Sequence, residues 1–396
     1  MYDFDLYDTR TVIDHRVVGR GPTPVRSAQP PRARPEGISI VSVDSHILEA
    51  DLWISRFPDH LKDQAPRMVF NNGGWDMIMP GEAAKPGASA NFGQGKPFCE
   101  LTECTPGIND VAARISDMDA EGITKELLFP QRLLARTMMG EIDLREHFFD
   151  AYNRYMAEDV CGKAPGRLYF AAVPNYWDPS EAAASINAIK ALGPSACALL
   201  LPNKPRADVN GKPIVYNEYA MDSFWSAVED SGLPICFHIG EALPDDSPGS
   251  QLTSATVNMH SLVSTWATLV HGGVFDRHPE LRVVFVECGI SWVPKALQDA
   301  DTVYNSFDPL IRERTLHHPS WYWYNHCYAS FMTDAAGLRL LDMIGADRVM
   351  WSSDYPHAEG TFGNTQDAIE AVLDAVDPKT ARRILGETAL ELFGMK

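Results

Sequence analysis

Short apolar segments recur along this chain between residues 38 and 356, and each ends in a polar residue or a proline. Between them, apolar residues return at three- and four-residue spacing, as in GINDVAARISDMDAEG and TQDAIEAVLDAVDP, which is typical of amphipathic helices. Strands that alternate with helices build parallel sheets, and near-continuous apolar strands indicate a sheet covered on both faces. The eight predicted strands are ISIVSVDSH (38–46), KELLFP (125–130), LYFAAVP (168–174), ACALLLP (196–202), LPICFHIG (233–240), LRVVFVECG (281–289), HCYASF (326–331) and DRVMWSSDYP (347–356).

The number of these strand–helix units predicts the fold. Eight units fit a closed (β/α)8 TIM barrel of the α/β class better than an open doubly wound sheet. No G-x-G-x-x-G follows the first strand, which argues against a dinucleotide-binding fold. We therefore expect one barrel domain over residues 37–396.

Two regions do not follow the alternation. Residues 1–36 end in RGPTPVRSAQPPRARPE, which predicts an extended N-terminal arm, either a disordered tail or an arm that lies on a partner subunit. Residues 54–106 follow the first strand and are rich in glycine, proline and aromatic residues. They predict an inserted loop region over the C-terminal mouth of the barrel, or a surface insertion with a small hairpin of its own.

Charge and cysteine content narrow the expected partners and compartment. The net charge of -19 argues against nucleic acid or an anionic membrane, but not against a small anionic substrate, because a metal ion can invert the local field. No apolar run reaches the roughly 18 residues of a membrane span, and the first residues lack the pattern of a secretory signal. The seven cysteines include no C-x-x-C pair. We therefore expect reduced thiols and a cytoplasmic protein.

Candidate chemistry lies where the predicted strands end. The first strand ends with Asp44 and His46, the fifth with His238, the sixth with Glu287 and the eighth with Asp354. Taken singly, each has an ordinary structural interpretation: a hydrogen-bonded core histidine, or an aspartate that caps the next helix. In a barrel, however, the C-terminal ends of all strands meet at one face. Histidine and carboxylate side chains that converge there match the ligands of Zn²⁺ or a similar divalent ion.

These segments resemble the amidohydrolase superfamily, in particular the branch of aminocarboxymuconate semialdehyde decarboxylase and the dihydroxybenzoate and carboxyvanillate decarboxylases. The matching pieces are VDSH, FHIGE, GGVFDRHPELRVVFVECG and WSSDYPHAEGTF, within residues 38–363. The resemblance implies one divalent ion, zinc before manganese or magnesium. Dinuclear members add a carboxylated lysine on the fourth strand, whereas Lys204 lies beyond the end of that strand here. The metal ligands that the resemblance implies are Asp44, His46, His238 and Asp354.

The same resemblance leaves two reactions open, with Asp354, Glu287 and His238 as the candidate catalytic residues. In a decarboxylation, the ion binds the carboxylate of a small aromatic or unsaturated substrate, the carbon is protonated and CO₂ leaves. In a hydrolysis of a lactone, amide or C–C bond, the ion activates a water molecule and Asp354 takes its proton. The family's decarboxylases carry a histidine where this chain has Glu287, which favours hydrolysis slightly.

A third possibility is a barrel that serves as a binding or scaffold protein without catalysis. Every expected ligand position holds a competent ligand, which argues against it. We also expect a homodimer or larger assembly, because the arm over residues 1–36 is too polar to form a core. Aromatic clusters such as HPSWYWYNH (318–326) are also more numerous than one pocket needs.

Overall fold

The computed structural model of the protein describes residues 37–49, 56–71, 74–78, 105–133, 144–205, 207–240, 247–307, 310, 315–357 and 359–396. The predicted N-terminal arm over residues 1–36 lies outside these ranges. So does most of the predicted insertion, including residues 79–104.

Eight parallel strands form one sheet in which each strand pairs with the next barrel strand along the chain. The prediction of a (β/α)8 barrel is therefore confirmed. These strands are buried almost throughout, as their continuous apolar sequences require. Their bounds are β1 Val41–Ile47, β4 Lys125–Pro130, β5 Leu168–Ala172, β6 Ala196–Leu201, β7 Ile235–His238, β8 Val283–Val286, β9 Cys327–Phe331 and β10 Val349–Trp351.

The remaining two strands, β2 (Arg67–Asn71) and β3 (Gly74–Ile78), pair antiparallel as a separate hairpin within the predicted insertion. A short 3₁₀ helix, Asp59–Gln64, precedes it. The insertion thus contains a small hairpin of its own, as one of the two interpretations expected. Its placement over the barrel mouth stays a prediction.

Helices follow or flank the strands, as expected for βα units. The first, α1, begins after Asp110, whose carboxylate accepts a hydrogen bond from the Ala113 amide, and ends at Gly122, whose φ of 75° is readily adopted by glycine. The helices are α1 Val111–Glu121, α2 Arg145–Tyr155, α3 Ala182–Ala191, α4 Asp222–Ser231, α5 Ser250–Asn258, α6 Leu262–His271, α7 Val274–Arg277, α8 Trp292–Ser306, α9 Pro319–His326, α10 Ala335–Arg339, α11 Leu341–Ile344, α12 Thr365–Ala375, α13 Pro378–Arg382 and α14 Thr388–Phe393.

The barrel closes between β1 and the segment that follows β10, not through a regular ladder. The amide of His46 donates to the Tyr355 carbonyl at 2.6 Å, and the amide of Asp354 donates to the Asp44 carbonyl at 2.9 Å. The amide of Ser353 donates to the Ser42 hydroxyl at 2.8 Å. We call residues 42–46 together with 353–357 the closure seam. It explains why β10 is shorter than predicted: after Trp351 the chain pairs with β1 through these bonds and one bridge, Ser45 with Tyr355.

Five cysteines, at positions 161, 197, 236, 288 and 327, are buried and free. Cys99 and Cys104 lie outside the described residues. Among the helices within those ranges, none has the length and apolar character needed to cross a membrane.

Candidate metal centre

Asp44 and His46 stand near the end of β1, where the strand contains a bulge. Ser42 is opposite Glu126 and Ser45 is opposite Leu128, so two residues of β1 face the single Leu127 of β4. Such bulges redirect side chains and are frequent next to active sites. The side chains of Asp44 and His46 are completely buried and lie next to each other, with Asp44 Oδ1 3.6 Å from His46 Nε2.

His238 and Glu287 come from the neighbouring strands β7 and β8, and we call them the wall pair. His238 is the last residue of β7, and Glu287 follows the last residue of β8. Their side chains meet with His238 Nε2 3.2 Å from Glu287 Oε2. Asp44 Oδ1 lies 3.3 Å from the same histidine nitrogen, so the wall pair adjoins the closure seam directly.

Asp354 and His357 lie on the segment after β10. Asp354 Oδ1 is 3.4 Å from His46 Nε2 and 2.9 Å from His357 Nδ1. His357 Nδ1 in turn lies 3.9 Å from Glu287 Oε1. Six side chains thus form a closed ring of neighbouring donor atoms. In order around it they are Asp44, His46, Asp354, His357, Glu287 and His238.

The ring contains two overlapping sets of four potential metal ligands, each with donor atoms within 4.8 Å of one another. One set is Asp44, His46, His238 and Glu287, and the other is His46, Glu287, Asp354 and His357. His46 and Glu287 belong to both. An imidazole nitrogen has one lone pair, so the overlap fits one ion better than two.

Several of these donor atoms have no hydrogen-bond partner among the described residues. They are Asp44 Oδ2, His46 Nε2, both carboxylate oxygens of Asp354 and Nδ1 of His357. Buried polar atoms in folded proteins nearly always have a hydrogen-bond partner, so a cluster of potential metal-ligand atoms without such partners needs an explanation. A divalent cation explains all of them at once, and the nitrogen and oxygen donor set suits Zn²⁺ or Mn²⁺. The residues present therefore fit a metal ion.

The electrostatics of the ring point the same way. Burial raises the pKa of Glu287 well above 4.5, and the negative charges of Asp354 and Asp44 raise it further. Burial, then Asp44 and Glu359, likewise raise the pKa of Asp354 well above 3.8. Three buried carboxyl groups in one cluster repel one another when ionised, and a cation among them relieves that repulsion.

The surroundings of His46 favour a neutral imidazole, and those of His46 and His238 fix the orientation of each ring. Burial lowers the pKa of His46 well below 6.5, and the neighbouring His357 and His238 lower it further. His46 Nδ1 faces the Pro130 carbonyl at 3.4 Å, and His238 Nδ1 faces the Ile239 carbonyl at 2.9 Å. When each Nδ1 donates to its carbonyl, Nε2 is left with a lone pair towards the ring. This outer hydrogen bond is the usual way in which proteins fix the tautomer of a metal-ligating histidine.

Backbone strain accompanies two of the carboxylates. Glu287 has a φ of 66° and Asp354 a φ of 51°, both in the left-handed region. Outside glycine this region costs about 1–3 kcal/mol and is concentrated at functional sites. The strain turns both carboxylates away from the direction that a continuing strand would give them, and towards the ring.

Arg114 anchors the backbone of the closure seam. Its side chain is fully buried, pairs with Glu126 at 2.9 Å and donates to the Gly107 carbonyl at 3.0 Å. It also donates to the carbonyl of His46 itself. The aromatic ring of Tyr355 covers the guanidinium group of Arg114, and the guanidinium carbon lies 4.7 Å from the centre of that aromatic ring. The backbone that carries His46 is thus held independently of any ion.

The structure brings all five predicted site residues, Asp44, His46, His238, Glu287 and Asp354, into this ring, while Lys204 is exposed outside it. Sequence reasoning missed His357, although WSSDYPHAEGTF contains it; its only signal is a histidine three residues beyond a predicted ligand. Gln131 and Glu49 were also missed. Gln131 contacts His357, and Glu49 accepts the Arg132 and Leu133 amides at 2.9 Å each.

Comparison with known proteins identifies the family. The profile of Amidohydro_2, described as amidohydrolase, matches residues 71–395. A gamma-resorcylate decarboxylase of Rhodococcus jostii is 30% identical over 331 residues, which cover 77% of this chain and 93% of that protein.

Solved structures share the fold. An amidohydrolase from Mycobacterium avium subsp. paratuberculosis has a TM-score of 0.69 at 20% identity, over 91% of this chain and 100% of that one. A dihydroxybenzoic acid decarboxylase from Polaromonas sp., with bound manganese and the inhibitor 2-nitroresorcinol, has a TM-score of 0.63 at 16% identity, over 90% and 97%. The profile match covers most of the chain, and the chain therefore belongs to the amidohydrolase family.

Proposed function

We propose that the protein is a metal-dependent carboxy-lyase that removes the carboxyl group of a small aromatic or unsaturated carboxylate without an oxidant. The observation that carries the proposal is the buried ring of carboxylate and imidazole donors at the C-terminal end of the barrel. The chain that holds it is 30% identical to a gamma-resorcylate decarboxylase.

One divalent ion is proposed, with Asp44, His46, His238 and Asp354 as its ligands. When bound, the ion supplies positive charge that holds the substrate carboxylate and a neighbouring oxygen. Zinc suits the mixed imidazole and carboxylate set. Manganese, which the Polaromonas enzyme carries, and magnesium are the competing ions that metal analysis has to separate.

The reaction replaces a C–C bond with a C–H bond. A proton moves from a protein carboxyl group to the ring carbon that bears the substrate carboxylate. The C–C bond to the carboxylate then breaks, its electron pair returns to the π system of the substrate and CO₂ leaves. Glu287 is the proposed proton donor, because it is buried at the ring and its two oxygens face different neighbours, His238 and His357. Asp354 assists the proton transfer, and His238 positions both the ion and Glu287.

The oligomeric state is proposed from the sequence, and the cellular location from the state of the cysteines. A homodimer or larger oligomer is proposed, with the arm over residues 1–36 lying on the partner and residues 54–106 over the mouth of the barrel domain 37–396. Light scattering of the full chain and of a variant that lacks residues 1–36 tests the assembly. A cytoplasmic location is proposed because the five described cysteines are free and buried.

The test combines metal analysis with product analysis. Purified protein is assayed for bound metals, then screened for CO₂ release from hydroxylated benzoates and for acid release from lactones. We expect one divalent ion per chain and CO₂ release; acid release alone would replace the lyase assignment with the hydrolase one. Protein without bound metal or either activity would leave a scaffold.

Isotope exchange tests the role of Glu287. When wild-type enzyme is incubated with the decarboxylated product in D₂O, it should exchange the hydrogen on the carbon that had carried the carboxylate for deuterium, because protonation of that carbon is reversible. Glu287→Gln should retain metal and fold but lose both turnover and this exchange. If Glu287→Gln exchanges the ring hydrogen at the wild-type rate, Glu287 does not donate the proton.

A further inference from the structure

His357 has the setting of a metal ligand, although neither the strand-end pattern nor the family resemblance pointed to it. Its Nδ1 lies 2.9 Å from Asp354 Oδ1, within the set that also includes His46 and Glu287. This nitrogen is buried and has no hydrogen-bond partner among the described residues. The side chain as a whole is only 13% exposed.

The other nitrogen of His357 has a partner that fixes the ring. Nε2 lies 3.0 Å from Oε1 of Gln131. An amide oxygen only accepts hydrogen bonds, so this contact places the imidazole hydrogen of His357 on Nε2. The lone pair of Nδ1 is then directed at the other potential metal ligands. His46 stacks on His357 with ring centres 4.1 Å apart and an interplanar angle of 26°, which holds the plane of the imidazole as well.

The arrangement repeats the pattern of the two predicted histidine ligands. In His46, His238 and His357 alike, one nitrogen faces a protein acceptor and the other faces the carboxylates. The acceptors for His46 and His357 are neighbours in sequence: the carbonyl of Pro130 and the side chain of Gln131. Gln131 is itself tied to β1, because its amide donates to the Ile47 carbonyl at 3.0 Å. One short segment at the end of β4 therefore orients two imidazoles.

From this geometry we infer that His357 is an additional ligand of the metal ion, through Nδ1, and that Gln131 is its positioning residue. The inference rests on the proposed metal centre and extends it to three imidazoles. A third nitrogen donor shifts the preference away from magnesium and towards zinc, cobalt or iron, because imidazole binds these ions better than the oxygen-preferring ones.

The test uses cobalt as a probe, since Co²⁺ has visible absorption bands that report on its ligands. Metal-free full-length protein is titrated with CoCl₂, and its affinity for Co²⁺ and Zn²⁺ is measured by competition with a chelator. Gln131→Ala should weaken binding by roughly 10–100-fold, as loss of an outer partner of a ligand typically does. His357→Ala removes the ligand itself, and should therefore weaken binding more than Gln131→Ala and also change the cobalt spectrum. His260→Ala, an exposed histidine outside the ring, is the matched control and should match wild type.

The outcomes separate this inference from the function on which it rests. Wild-type protein that binds no divalent ion would defeat the proposed function. An unchanged cobalt spectrum and affinity in His357→Ala, with wild type binding one ion, would overturn the ligand assignment alone, even if activity were lost. His357→Gln guards against misfolding: because its amide fills similar space without an imidazole nitrogen, it should show the same loss in a protein with wild-type circular dichroism.

Discussion

The closure seam and the wall pair contribute to the same ring of donors, yet they are held in different ways. His238 and the strand that leads to Glu287 belong to a regular parallel ladder, in which Ile235 pairs with Val283 and His238 with Val286. The seam has no such ladder. It depends on individual hydrogen bonds between β1 and residues 353–357, on three serine hydroxyls in mutual contact and on the Arg114–Glu126 pair.

This difference indicates which part of the metal centre is held in place in the absence of an ion. A ladder positions backbone but leaves the end of each strand free to vary. The seam, in contrast, fixes the backbone on both sides of His46 and Asp354 through partners other than the ion. We therefore expect substitutions that break the hydrogen bonds of the seam, or the Arg114–Glu126 pair that supports it, to destabilise the metal-free protein. Loss of the wall ligand His238 should instead reduce metal binding with little effect on the metal-free fold.

The largest expected effect is the loss of metal from a wall variant. His238→Ala removes an imidazole ligand and should reduce bound metal from one ion per chain to a small fraction, measured by elemental analysis. Because His238 lies in the wall pair and outside the closure seam, the thermal stability of metal-free His238→Ala should stay close to that of metal-free wild type. His260→Ala is the control. Full metal occupancy in His238→Ala would show that the predicted site is wrong.

The seam gives the next largest effect, this time on stability. Arg114→Met leaves Glu126 buried without a partner and releases the carbonyls of His46 and Gly107. Removing one member of a buried ion pair typically costs about 3–5 kcal/mol. Urea unfolding of the metal-free protein measures it. Lys295→Met, which breaks an exposed pair with Asp299 on α8, should cost less than about 1 kcal/mol. Equal losses in the two variants would contradict the special role of the seam.

Glu49, which lies close to the closure seam in sequence, makes the free energy of unfolding depend on pH. Burial raises the pKa of Glu49 to about 7, although the amides of Arg132 and Leu133 oppose the shift. Between its unfolded pKa, near 4.5, and about 7, the folded state binds the proton that the unfolded state has released. The contribution of Glu49 to stability is therefore greatest below the unfolded pKa and falls as pH rises through this window, by about 3–4 kcal/mol at most.

Glu49→Gln provides the measurement, since glutamine does not titrate. The free energy of unfolding of wild-type protein is compared with that of Glu49→Gln from pH 4.5 to pH 8. The difference between the two should shrink or reverse with rising pH. A difference that is independent of pH would show that Glu49 keeps its ordinary pKa in the folded protein.

The smallest of the four effects is on catalysis at the seam. Asp354→Asn preserves the shape of the side chain but removes a charged ligand and a group that takes part in proton transfer. We expect kcat to fall by roughly 10²-fold, in line with general acid–base contributions. Saturating metal is present throughout, so that weaker binding does not account for the loss. A near-normal kcat would assign proton transfer elsewhere.

The sequence predicted what depends on repeating patterns. Eight apolar segments were enough for the barrel, and the rule that strand ends converge was enough to select Asp44, His46, His238, Glu287 and Asp354. The bulge in β1 was not predictable, because it follows from pairing with β4 and not from the residues Val43 and Asp44 alone.

The side chains that were missed depend on contacts between distant segments. Gln131 and His357 are 226 positions apart in sequence, and nothing local marks either as a partner of the other. The positive φ angles of Glu287 and Asp354 were not predictable either, since glutamate is not enriched in that region and most aspartates, although enriched there, lie outside it. Only the closed barrel brings these groups together and imposes those angles.

The left-handed backbone at Glu287 and Asp354 has a consequence for engineering. Glycine adopts such angles without steric strain, so Glu287→Gly and Asp354→Gly would each relieve strain and remove a buried carboxylate that repels its neighbours. A laboratory evolution experiment that rewards only heat resistance of the metal-free protein should therefore enrich small or neutral residues at these two positions first. The thermostable descendants would keep the barrel and lose the chemistry, so the two positions would mark where stability and activity are traded against each other.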